Sequence, residues 1–173
     1  MRTFFPFIPS PGGATDCSAK EPTMPQSFAC LHHHLIFSTK NRAPLITPGV
    51  QPRLFDYVGG ILRSEGCALT AAGGMPDHVH LLVSLDRQVS IADALRIIKA
   101  NSSRWIHETF PTLSGFAWQA GYGAFAVSYS HLDRVKAYLS RQAEHHRRMT
   151  FQEEFLAFLQ RNGISYDERY LWD

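Results

Sequence analysis

Two periods of apolar residues organise most of the chain. In "PGVQPRLFDYVGGILRSEG", 48–66, Leu54, Tyr57, Val58, Ile61 and Leu62 recur every three or four positions, which predicts a helix stopped by Gly66. In "DHVHLLVSL", 77–85, alternate residues share a face, which predicts a strand. The same reading places strands over 27–40 and 67–74. It places a helix over 90–110, with Ser90 as N-cap, Asp93 in the first turn and Pro111 as terminator. A glycine-rich loop leads into a strand within 114–128. Helices follow over 130–150, with Ser130 as cap, and over 151–163, ending at Gly163. The order β-α-β-β-α-β, then helices, is an α+β, ferredoxin-like (RRM-like) arrangement: an antiparallel sheet with two helices on one face. The other face stays open unless a later helix covers it.

Composition narrows the class. The 173 residues suit one domain, read as 24–173, after a loose Pro/Gly/Ser-rich extension over 1–23; Met24 is an alternative start. With 45% hydrophobic and 18% charged residues the chain reads as globular, and no apolar run approaches the roughly 18 residues of a membrane span. Cys17, Cys30 and Cys67 are odd in number and scattered, which fits reduced thiols in a cytosol. Net charge is only +2, but it is unevenly spread. Residues 94–105 hold Arg96, Lys99 and Arg104 and no acid. Arg134, Lys136, Arg141, Arg147 and Arg148 outnumber Asp133 and Glu144, and the tail is acidic. Two basic helical segments point to a polyanion on one surface.

The candidate chemistry sits on the second strand face. Val79, Leu81, Val83 and Leu85 belong against the two helices, so His78, His80, Leu82 and Ser84 belong to the open side. Two neutral imidazoles placed side by side can share a divalent cation. With nine histidines in the chain, the H-x-H spacing alone proves little, and "HHH" at 32–34 reads as mostly structural. On the helix over 130–150 a polar stripe runs His131, Arg134, Tyr138, Arg141, Gln142 and His145. A tyrosine among cations is an odd packing residue; arginines or a metal would favour its phenolate. The Gln142 amide oxygen suits a hard cation such as Mg²⁺ or Mn²⁺. A nucleophile, a metal and flanking cations fit covalent phosphoryl transfer on a nucleic-acid strand.

These residues resemble the single-tyrosine HUH transposases of small bacterial insertion sequences (IS200-like), including those associated with repetitive extragenic palindromes. The similar stretches are "HLIFSTKNR" (34–42), "DHVHLLVSL" (77–85), "SSRWI" (102–106), "FAWQAGYGAFAVS" (116–128), "QAEHHRRMTFQEEF" (142–155) and "GISYDERYLWD" (163–173). The resemblance implies that His78 and His80 bind the metal, that Tyr138 is the nucleophile and that Gln142 completes coordination. It implies single-stranded DNA beside a short hairpin as substrate, a 5′-phosphotyrosine link and a freed 3′-OH. It also implies a cytoplasmic, nucleoid-associated protein and, in many members, a homodimer whose tyrosine helices complete each other's sites. Arg96, Lys99 and Arg104 would hold phosphates, Arg134 and Arg141 would add charge near the tyrosine, and Trp118, Tyr122 and Phe125 would stack on unpaired bases. Two rivals are a non-catalytic ferredoxin-like nucleic-acid-binding module and a metal-dependent phosphodiesterase that uses water.

Overall fold

The fold comes from a computed structural model that describes residues 28–172. The expected extension over 1–23, Met24 and Cys17 lie outside the described residues. Four strands form one sheet: β1 (His32–Ser38), β2 (Ala68–Met75), β3 (His78–Ser84) and β4 (Gly123–Ala126). The spatial order is β2-β3-β1-β4, and every neighbouring pair is antiparallel. With α1 (Gln51–Ser64) and α2 (Ile91–Thr109) in the two crossovers, this is the ferredoxin-like topology.

Both amphipathic helices bury the expected stripe. Leu54, Val58 and Leu62 of α1 join Leu95, Ile98 and Ile106 of α2 over Leu35, Phe37, Val79, Leu81 and Val83. Gly66 takes φ +70° where α1 ends. Ser90 caps α2 by accepting from Asp93 N at 3.0 Å. Among the described residues no helix is long and apolar enough to cross a membrane.

The second sheet face is not open. The chain returns over it as α3 (Leu132–Leu139), α4 (Gln142–His145) and α5 (Phe151–Arg161). Leu82 packs with Leu132 and Leu139, and Ile36 with Phe125, Phe151, Phe155 and Leu159. His78 and His80, expected on a bare surface, are therefore 1% and 0% exposed.

A single helix over 130–150 does not form either. The Ser140 hydroxyl turns back to donate to Ala137 O (3.0 Å), and Arg141 N reaches only three residues back, to Tyr138 O (3.2 Å). Arg141 adopts φ −110° and ψ 21°, which interrupts the helix between α3 and α4. Gln142 is thereby buried beside Leu139. Ser130 caps nothing: it lies in a 3-10 turn over Tyr129–His131. Thr150 does cap, through a reciprocal box with Glu153.

Gly73 in β2 lets the end of α3 sit this close. A Cβ there would overlap the Leu139 carbonyl. Gly73→Ala should cost about 1–3 kcal/mol through overpacking. Gly60→Ala, in α1 with nothing within 4 Å of the added carbon, should gain about 0.5–1 kcal/mol. Urea unfolding of both variants checks the pair; equal effects would contradict the close approach.

Candidate metal centre and tyrosine site

β3 begins with two histidines that share a face because a strand alternates. His78 Nδ1 donates to Asp77 Oδ1 at 2.8 Å, and an ionised carboxylate can only accept. His146, just after α4, donates Nδ1 to Met149 O at 2.9 Å, again an acceptor only. With Nδ1 committed in both rings, the two Nε2 atoms are left facing each other at 3.0 Å. His80 pairs through Nδ1 with His34 Nε2 at 3.0 Å. Its Nε2 lies 3.3 Å from Glu154 Oε2, and neither atom has a hydrogen-bond partner. His146 Nε2 is also 3.3 Å from that oxygen. Donor atoms of His78, His80, His146 and Glu154 all lie within 4.8 Å of one another.

These contacts are not ion pairs. Burial, then the charge of neighbouring histidines, holds His80 well below its ordinary pKa. Burial also lowers His146, with His78 adding to it. Burial pushes Glu154 up to about 7, against the opposing pull of His78. Histidine nitrogens and a buried carboxyl oxygen thus cluster within reach of one ion. Unsatisfied buried acceptors are costly, and a divalent cation satisfies all of them at once.

Tyr138 reaches the same carboxyl. Its hydroxyl donates to Glu154 Oε1, and its ring lies 6.1 Å from that of His80 and 5.2 Å from that of His145. Gln142 Nε2 is 3.5 Å from Glu154 Oε1, while Gln142 Oε1 is buried without a partner. One chain therefore brings together His78, His80, Tyr138 and Gln142. A cleft of about 630 Å³ opens beside Tyr138, lined by Phe125, Val135, Phe158, Arg134 and Arg161. On another side Arg141, His145 and Arg148 line a smaller one of about 220 Å³.

The α2 cations are elsewhere. α2 packs on the opposite sheet face, so Arg96 and Arg104 are exposed away from the histidines. Arg96 pairs with Asp93 at 3.1 Å. Lys99 corrects the expectation: its ammonium donates to the carbonyls of Gln119, Ala120 and Gly121 at 2.9, 3.1 and 2.8 Å. Three donors are then committed, and Lys99 fastens a loop rather than a phosphate. Trp118 also departs from stacking on bases. Its Nε1 donates to Ser102 Oγ (2.9 Å), and its ring packs edge-on against Phe37 and Phe116. Phe125 is 5% exposed and stacks on Phe158. Tyr122 remains 45% exposed, beneath Lys99.

Sequence reasoning missed His146 and Glu154 and read His34 as mostly structural. A signal for Glu154 was present: it interrupts the apolar stripe Phe151, Phe155, Phe158, Leu159 of α5. His34 shares the face of His80 once β1 and β3 pair with Ile36 opposite His80.

Fold and cluster together define a ferredoxin-like domain with a His/Glu site able to hold a cation next to a tyrosine. Residues 27–142 match the family described as "Transposase IS200 like". The chain is 30% identical over 117 residues to the ISDra2 transposase TnpA of Deinococcus radiodurans, covering 65% of this chain and 84% of that protein. A crystal structure of a transposase candidate from Deinococcus radiodurans R1 superposes with a TM-score of 0.57 at 30% identity, over 67% of this chain and 93% of that one. A REP-associated tyrosine transposase bound to a REP hairpin has a similar fold, with a TM-score of 0.53 at 16% identity, over 70% of this chain and 72% of that one. The chain belongs to the IS200-like transposase family.

The buried histidines predict an acid response. Burial, reinforced by His80, pushes His34 from 6.5 down to about 3. Between those values the unfolded chain binds a proton that the folded chain does not. The His34 share of stability is therefore full above the unfolded value and is lost as pH falls toward the folded one. In chelator-treated protein, unfolding free energy should fall from about pH 7 to about pH 5, and His34→Gln should flatten that fall. Identical slopes would contradict the assignment.

Proposed function

We propose that this chain, as one domain over 24–173, cuts and rejoins single-stranded DNA beside a hairpin through a 5′-phosphotyrosine on Tyr138. The observation that carries this reading is the hydrogen bond from the Tyr138 hydroxyl to Glu154, whose other oxygen lies 3.3 Å from His80 and from His146. Nucleophile and cation donors thus meet in one chain, and the reading needs no second copy. Membership of a transposase family supports the reaction class. The hairpin held by the REP-associated relative supports the substrate class.

His78 and His80 would hold the divalent cation, Mg²⁺ or Mn²⁺, with the unpartnered Gln142 oxygen as a further donor. A bound cation supplies charge neutralisation and orientation of the scissile phosphate. The protein's part follows from its own groups. Glu154 Oε1 accepts the Tyr138 hydrogen bond and is placed to take the phenol proton. The freed oxygen attacks phosphorus, the P–O3′ bond breaks, and the departing 3′ oxygen gains a proton. A second 3′-OH then attacks the same phosphorus. The P–O bond to Tyr138 breaks and the phenol recovers its proton. One phosphodiester is exchanged for another, so no external energy is needed. Arg134 and Arg161 in the larger cleft, and Arg141 in the smaller, can hold flanking phosphates. Such a substrate places the work at the nucleoid, in the cytoplasm.

Labelled single-stranded hairpin DNA incubated with the protein and Mg²⁺ or Mn²⁺ should give an adduct that survives denaturation. Tyr138→Phe should lower its yield at least about a thousandfold, and chelation should remove it. Cleavage without an adduct would point to a water nucleophile. A mobility shift without cleavage would point to a binding module.

A further inference from the structure

His146 and Glu154 lie beyond residue 142, where the family match ends. The site nevertheless closes around them. The His146 Nδ1 bond to Met149 O fixes its Nε2 toward His78. α5 carries Glu154 inward on the stripe that packs against the sheet, where it is 2% exposed. Its Oε2 lies 3.3 Å from both His80 and His146 and has no hydrogen-bond partner. Its Oε1 faces Tyr138, Gln142 and His145. One oxygen is thus free to ligate while the other holds the phenol.

The donor set also carries a preference. Three imidazoles and one carboxylate suit ions that accept nitrogen ligands, whereas Mg²⁺ favours oxygen ligands and keeps its waters. We infer that His146 and Glu154 join His78 and His80 as ligands of one divalent ion that accepts nitrogen as well as oxygen ligands, such as Mn²⁺, Co²⁺ or Zn²⁺, and that this ion pins α5 to β3. The assignment deepens the proposed function and rests on its cation. The ion joins β3, the turn after α4, and α5. Asp77 and Met149 act one step out, fixing the rings of His78 and His146.

Two readouts other than activity test this on the full chain after chelator treatment. The first is Co²⁺ titration followed by its visible absorption. The second is hydrogen exchange of the amides of 151–161 with and without the ion. Wild-type protein should take up one Co²⁺ and slow exchange across α5, and Mg²⁺ should do so only at concentrations well above equimolar. His146→Ala and the isosteric Glu154→Gln should each weaken Co²⁺ binding by about 10–100-fold and abolish the metal-dependent protection. Gln160→Ala, on the exposed side of α5, should match wild type. Circular dichroism of the metal-free forms separates lost ligation from lost fold, and Glu154→Gln keeps the volume of the side chain it replaces. If His78→Ala loses Co²⁺ while His146→Ala and Glu154→Gln bind like wild type, the extra ligands are refuted and the proposed function stands. If wild-type protein binds no ion, the metal part of both falls.

Discussion

Two imidazole nitrogens that face each other inside a protein need a proton or a cation between them. His78 and His146 each commit Nδ1, to Asp77 and Met149, and then meet nitrogen to nitrogen at 3.0 Å. A proton between them would bury a charge; a divalent cation answers the same need and brings His80 and Glu154 into one shell. The rest of the molecule is arranged around that requirement. β3 supplies two rings at once because a strand alternates. The C-terminal helices shut out the water that would otherwise hydrate them.

The second sheet face is where packing and chemistry meet. Its apolar members, Ile36 and Leu82, bind α5 and α3 through ordinary hydrophobic burial. Its polar members make the site. Gly73 lets the α3 backbone approach β2, and the interruption at Ser140 and Arg141 turns Gln142 inward beside Leu139. Tyr138 is then held edge-on to His34, His80, His145 and Phe158. A phenol fixed by four rings and a carboxyl stands ready beside the cation donors instead of searching for them.

Much of this was legible in the sequence. Period-two and period-3.6 patterns located the strands and the first two helices, because each element buries one face against a single neighbour. The histidine pair and Tyr138 were legible because polar groups broke those patterns. What stayed hidden required three dimensions. Whether a helix covers the far face depends on where α5 lands, and the apolar stripe of α5 shows an inward face without naming its partner. Glu154 was marked by that stripe, but its companions come from β3 and from the turn after α4. Lys99 reads as a free cation because the carbonyls that capture it lie 20 to 22 residues away. Trp118 reads as a stacking platform until the Ser102 hydroxyl claims its N–H.

Anomalous diffraction from crystals loaded with Mn²⁺ tests the central claim most directly. One strong peak should lie among His78 Nε2, His80 Nε2 and Glu154 Oε2, at about 2.0–2.3 Å from each, with the Tyr138 of the same chain still on the far oxygen of Glu154. A peak elsewhere in the molecule, or none at full occupancy of the soak, would contradict it.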